Sequence, residues 1–151
     1  MRISAKTDYA VRAVLELAAA QDPPRKRDEI AAAQAIPVKF LESILAELKH
    51  GGVVMSQRGA EGGYWLARPA EEITIAEVMR VVEGPLASVR ERRPEEVEYE
   101  GSAGHLREVW VALRANMREV LESVTLADVV GNDLPREILD RTDEPESWVS
   151  H

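Results

Sequence analysis

Not one of the 151 residues is cysteine. That absence removes disulfides, thiolate zinc sites, cysteine nucleophiles and cysteine-ligated iron–sulfur clusters together, and with them any redox sensing through a thiol of this chain. Long apolar runs are missing too. Stretches such as Ala31–Ala33 and Val53–Met55 fall far short of the roughly 20 residues of a membrane span. The first residues hold no apolar signal core, so the expectation is a cytoplasmic protein with no membrane partner. There is no Gly-x-Ser-x-Gly elbow, no phosphate loop and no spacing of metal ligands. Acid–base chemistry would have to rest on Asp8, Glu42 or the Glu95–Glu96 pair, which form no convergent set. The chain is therefore expected to be no enzyme, and to carry no metal and no cofactor.

What is present is charge, unevenly spread. The net charge of −8 argues at first against a polyanionic partner, but residues 1–70 carry 10 Lys/Arg against 8 Asp/Glu, while residues 71–151 carry 9 against 19. A near-neutral half facing phosphate and an acidic half facing away is compatible with DNA binding. The length suits one compact domain, or a small domain with an appended dimerisation element. No internal repeat is visible.

Ser4 followed by Ala10, Ala13, Val14, Leu17 and Ala18 predicts a capped helix with one buried stripe, running to about Ala20. Gln21–Arg27 contains Pro23-Pro24 and the basic run Arg25-Lys26-Arg27, and reads as a loop. A short helix over about Asp28–Gln34 follows, and Ile36-Pro37 marks a turn. In Val38–His50, Leu41, Ile44, Leu45 and Leu48 stand at i, i+3, i+4 and i+7, a face that must be buried; Gly51-Gly52 ends the helix. Val53–Gln57 and Tyr64–Ala67 are strand-like and flank three glycines, a ribbon with a flexible tip. Ile73–Glu83 is a further helix, with Thr74 and Glu77 as a capping box.

Residues 86–101 lack periodicity and read as a mobile linker. Beyond them Leu106, Trp110, Leu113, Met117, Val120 and Val124 recur at steps of 4, 3, 4, 3 and 4, a continuous seam. A short element over Leu126–Val130 stops at Gly131, and residues 132–151 read as a disordered acidic tail. The fold class is thus mostly α with a small β-ribbon wing: a winged helix-turn-helix over 1–85, the linker over 86–101, and a long C-terminal dimerisation helix within 102–131.

Three helices and a glycine-tipped ribbon give the order of a winged helix-turn-helix, and the residues narrow it further. The run Met1-Arg2-Ile3-Ser4-Ala5-Lys6-Thr7-Asp8-Tyr9-Ala10, the helix start Ile36-Pro37-Val38-Lys39-Phe40-Leu41-Glu42-Ser43, the wing Arg58-Gly59-Ala60-Glu61-Gly62-Gly63-Tyr64 and the end Val82-Glu83-Gly84 together resemble the Rrf2 family of bacterial transcription regulators. The resemblance implies a sequence-specific regulator of double-stranded DNA, more often a repressor, acting as a homodimer on a pseudo-palindromic operator.

The residues allow the same roles. A helix start with a partly polar free face can enter a major groove, which makes Pro37, Val38, Lys39, Phe40, Glu42 and Ser43 the candidates there; Glu42 can accept from a cytosine amine and Val38 can touch a thymine methyl. Without the resemblance, a solvated helix face is an equal reading. Arg58 at the ribbon tip, with Gly59, Gly63 and Tyr64 around it, suits the negative potential of a narrow minor groove. The resemblance implies that Arg2, Lys6 and Tyr9 lie near the DNA backbone; for Tyr9 a half-buried core aromatic is the competing reading. Arg25-Lys26-Arg27 is a further phosphate candidate or a solvated loop.

The 106–124 seam resembles the dimerisation helix of the family. Many members hold an iron–sulfur cluster through three cysteines before that helix, where this chain has none over about Leu86–His105. His105 reads as a solvent-facing residue at a helix start, His50 as a helix-end residue and His151 as a tail residue. The controlling signal is left open between a regulatory protein, a small-molecule effector and no identifiable signal. The competing function is a winged-helix adaptor that binds a protein partner without reading DNA.

Overall fold

The computed structural model describes residues 2–150; Met1 and His151 lie outside them. Helix α1 (Ala5–Ala18) is started by Ser4, whose Oγ accepts from the Thr7 amide at 3.0 Å, and it buries Thr7, Ala10, Ala13, Val14 and Leu17. Helices α2 (Arg27–Gln34) and α3 (Val38–His50) pack on it and on each other. Between them Ala35 takes a left-handed conformation, and the Ile36 amide returns to the Ala31 carbonyl at 2.9 Å, closing a three-residue turn. The helix α2 lacks a Ser or Thr cap; Glu29 supplies it by accepting from the Lys26 amide at 2.8 Å. All four expected α3 positions, Leu41, Ile44, Leu45 and Leu48, are buried.

Strands β1 (Val54–Gln57) and β2 (Gly63–Leu66) pair antiparallel, with Val54 opposite Leu66 and Gln57 opposite Gly63. A third piece of chain joins them. Arg25 and Tyr64 exchange both backbone hydrogen bonds, at 2.8 and 2.9 Å, so the loop before α2 is stitched to the wing. Helix α4 (Ile75–Glu83) begins at Thr74, whose Oγ1 accepts from the Glu77 amide. The reciprocal half of the expected capping box is missing because the Glu77 carboxylate turns to Arg68 instead.

The second half departs from expectation in three places. Residues 86–101 are packed on α5 (Leu106–Ser123): Pro94 and Val97 are buried, and the Trp110 indole donates to the Tyr99 hydroxyl at 3.1 Å. Proline and charge density suggested a mobile linker, yet Pro94, Val97 and Tyr99 supply apolar anchors at a spacing that matches neither a helix nor a strand. The chain after α5 then re-enters the winged half. The Ile75 amide donates to Val124 O at 3.0 Å, the Leu126 amide to Ile73 O at 2.9 Å, and Leu126, opening α6 (Leu126–Val130), is fully buried in the core shared by α1, α3 and α4. The 102–131 region is therefore no separate unit. Finally, residues 132–150 contain a helix, α7 (Arg136–Thr142), tied to α5 by Arg141–Glu119 at 2.9 Å, where a disordered tail was expected.

This packing changes the meaning of the 4-3-4-3-4 seam. Met117 and Val124 are buried and Leu106, Trp110 and Val120 half-buried within the chain; Leu113 keeps 43% of its surface exposed, and the neighbouring Val109 keeps 54%. Most of the seam serves its own chain. The face that α5 leaves open runs through Val109 and Leu113.

Candidate nucleic-acid interface

The start of α3 is the most outward-facing part of the helix-turn-helix. Pro37 occupies the N-cap with no side-chain cap, and the first backbone acceptor bond of the helix comes from the Leu41 amide to Pro37 O at 3.0 Å. Amides of a first turn without such partners point along the helix axis and carry its positive dipole end, which favours a phosphate. Pro37, Val38, Lys39, Phe40, Glu42 and Ser43 are all exposed, Val38 at 41% and Phe40 at 58%. Apolar side chains so exposed beside buried Leu41 are not there for the core. Lys39 makes no ion pair among the described residues.

Two neighbours shape this surface. The Phe40 ring stands edge-on to Tyr9 with centroids 6.2 Å apart, and the Arg12 guanidinium lies over the Tyr9 ring, 5.0 Å from its centroid. Tyr9 is half-buried against the core, as its competing reading had it, yet its hydroxyl makes no hydrogen bond within the described residues. Glu42 meets Arg27 of α2, Oε2 to Nη1 3.5 Å, so the proposed base acceptor already has a cationic partner.

The wing divides its expected residues by role. Arg58 is exposed and unpaired among the described residues, and Gly59 has φ +109° with open space where a Cβ would stand. The other glycines answer to the chain itself. A Cβ on Gly62 would lie 2.1 Å from Gln57 O, and one on Gly63 2.6 Å from Arg25 O. Gly63 is thus required by the Arg25–Tyr64 pairing, and Tyr64 packs against the core at the base of the wing.

Lys6 and Arg2 lie elsewhere. The Lys6 ammonium donates to Val82 O at 2.8 Å and pairs with Glu47 at 2.8 Å, completing the C-terminal end of α4. Glu83 beside it accepts from the Ser4 and Thr7 hydroxyls; the Ser4 bond, ahead of an opposing desolvation and of Thr7 and Lys6, holds its carboxyl below the usual carboxylate range. Arg2 is exposed beside Leu86 and Met117, with the α4 end rather than with α3.

One residue gains weight from the structure. Arg25 is tied to β2 of the wing, and Arg27 to Glu42 of α3, so the intervening Lys26 is held between wing and recognition helix. It is exposed and makes no ion pair among the described residues. In sequence it was one cation of a basic loop; nothing there marked the backbone pairing that fixes it.

Comparison with known proteins identifies the family and the fold. The family model described as "Rrf2: Iron-dependent Transcriptional regulator" matches residues 3–132. A Mycobacterium tuberculosis protein named among the HTH-type transcriptional regulators is 52% identical over 145 residues, 95% of this chain and 90% of its own. The HTH-type transcriptional regulator CymR of Bacillus subtilis is 35% identical over 130 residues, covering 85% of this chain and 89% of CymR. Among solved structures, CymR, titled the global cysteine regulator of B. subtilis, superposes with TM-score 0.74 at 33% identity over 87% of this chain and 98% of that one. The T. potens IscR structure follows with TM-score 0.70 and 30% identity, over 100% and 93%. The iron dependence in the family description meets no thiolate donor here, and the described residues contain no group of three or more His, Asp or Glu side chains placed to hold a metal. His105 is exposed, at the N-cap of α5. The donor set does not fit a thiolate-ligated cluster. No helix of the described residues is long and apolar enough to cross a membrane.

Proposed function

The chain belongs to the Rrf2 family of helix-turn-helix transcriptional regulators and is a DNA-binding regulator, not an enzyme; from that premise we propose that it represses transcription as a homodimer on a pseudo-palindromic operator. The observation that carries the mode of binding is the exposed first turn of α3, with Val38 and Phe40 solvent-facing, Lys39 unpaired and Leu41 to Leu48 holding the helix on the core. In this reading Val38, Lys39, Phe40, Glu42 and Ser43 meet the major groove, Pro37 opens the helix toward phosphate, and Arg58 on Gly59 enters the adjacent minor groove. Lys26 contacts the backbone between them. Lys6, Gly63 and Tyr64 act on DNA only through the positions they fix, whereas Tyr9 acts through Phe40. Val109 and Leu113 on α5 supply the two-fold contact, which spaces the recognition helices one helical turn of DNA or a multiple of it apart.

Selection of bound sequences from random duplex DNA, followed by titration on the selected operator and a scrambled duplex at several salt concentrations, tests this. A two-fold symmetric consensus with salt-dependent binding is the expected result. Equal binding to operator and scrambled duplex would overturn sequence-specific readout and favour the adaptor.

A further inference from the structure

All nine basic residues beyond position 70 are arginine, in a stretch whose net charge is −10. Four of them, Arg80 on α4, Arg93 in the packed segment, and Arg114 and Arg118 on α5, line one open cleft of about 610 Å³. Its only carboxylates are Glu95 and Glu122, which leaves a local excess of two positive charges inside an otherwise acidic half. The volume lies within the range of small-molecule sites, roughly 300–1,000 Å³.

The ion pairs in this cleft leave most donors unused. Arg80 gives Nη2 and Arg118 gives Nε to the same Glu122 oxygen, and Arg114 gives Nη1 to Glu95. None of these is the two-pronged guanidinium–carboxylate match, although each guanidinium offers five N–H donors. Arg93 bonds only through its backbone, the amide donating to the Glu96 carboxylate and the carbonyl accepting from the Glu96 amide, and its guanidinium has no hydrogen-bond partner among the described residues. A monocarboxylate ligand would add nothing that the two tethered carboxylates do not already supply at high effective concentration. A phosphoryl group has more charge and three acceptor oxygens, and can engage two guanidinium groups together.

We infer that this cleft is a binding site for a small phosphate-class anion carrying at least two negative charges, held by Arg93, Arg114, Arg118 and Arg80. Because its walls come from α4, the 93–95 turn and α5, a bound anion ties the winged half to α5. The inference is independent of how α3 reads DNA.

Titration calorimetry of the full chain with pyrophosphate, with orthophosphate and succinate as comparisons, tests it in moderate salt. Saturable binding at one site per chain, tighter for pyrophosphate than for succinate, is expected, with Arg93→Ala weakening it about tenfold or more and Arg93→Lys less. Arg93 is exposed and makes no ion pair among the described residues, so its removal leaves the fold intact; Arg118→Ala provides a second variant on another wall. Absence of saturation up to about 10 mM pyrophosphate would overturn the site. So would binding that survives both variants, or that is lost instead in Arg58→Ala, since the anion would then sit on the DNA-facing surface.

Discussion

Glu42 on the exposed start of α3 lies 3.5 Å from the Arg27 guanidinium of α2, so the helix-turn-helix carries an ion pair across its own reading surface. Glu42 is exposed and Arg27 half-buried, and a pair so open to solvent contributes only about 0–1 kcal/mol to stability. Its effect is expected on DNA. Glu42→Ala removes a negative charge from the interface and the acceptor for a cytosine amine, so non-specific affinity should rise while preference at one symmetric base-pair position relaxes by roughly 1–3 kcal/mol. Arg27→Ala should do the opposite, leaving an uncompensated carboxylate and weakening binding to every duplex. Competition titrations against operators substituted one base pair at a time separate the two, and unchanged discrimination in Glu42→Ala would remove it from base readout.

Arg58 and Lys26 are predicted to act through their charge and not through hydrogen bonds to base edges. Each alanine variant should lower the salt slope of operator binding by about 1 per half-site, with little change in melting temperature because neither makes an ion pair among the described residues. Arg58→Ala should also erase any preference for narrow A·T-rich steps beside the major-groove contact, whereas Lys26→Ala should leave sequence preference alone. A slope unchanged in Lys26→Ala would show that the loop between wing and α2 faces solvent in the complex.

Much of the winged half is legible in the sequence because local signals there agree with the fold. Ser4 and Thr74 cap helices, four apolar residues of α3 repeat at helical spacing, and glycines mark the ribbon tip. What escapes is long-range. Arg25 pairing with Tyr64 joins residues 39 positions apart, and it reassigns Gly63 from DNA approach to backbone crowding. The return of Leu126 into the core and the packing of Pro94 and Val97 on α5 depend equally on contacts that no periodicity announces. The 4-3-4-3-4 spacing marks one packed face of α5, but whether that face meets a partner or residues 86–97 of its own chain is not a property of the spacing.

That distinction yields a prediction for oligomerisation. Val109 and Leu113 are the exposed apolar residues of α5, while Met117 is buried in the chain. Burying a large apolar side chain contributes about 1.5–3 kcal/mol, so Val109→Glu with Leu113→Glu should give folded monomers at micromolar concentration. Met117→Glu should behave differently, lowering the melting temperature because it replaces a buried apolar side chain by a charge. Sedimentation and thermal melting of both variants decide this, and a dimer that persists in the double variant would move the two-fold contact away from this face.

A last prediction concerns pH at the junction of α1 and α4. Glu83 accepts from the Ser4 and Thr7 hydroxyls, and the Ser4 bond leads in holding its carboxyl below the ordinary value. A carboxyl lowered in the folded state adds stability that is present above its unfolded value, about 4.3, and disappears as pH falls through the lower folded value. The junction should therefore loosen only in acid, below the usual carboxylate range, and be unaffected between neutral pH and about 5. Glu83→Gln cannot titrate and should show a smaller drop in melting temperature between about pH 6 and pH 3 than the parent, with a lower starting point at neutral pH. The loss should concentrate where Ser4, Thr7 and Lys6 meet Val82 and Glu83, read as faster amide exchange in the first turn of α1. Equal acid sensitivity in parent and variant would place the responsible carboxylates elsewhere, with Glu122 on Arg80 and Arg118 the next to examine, since its carboxyl is lowered first by the Arg80 bond.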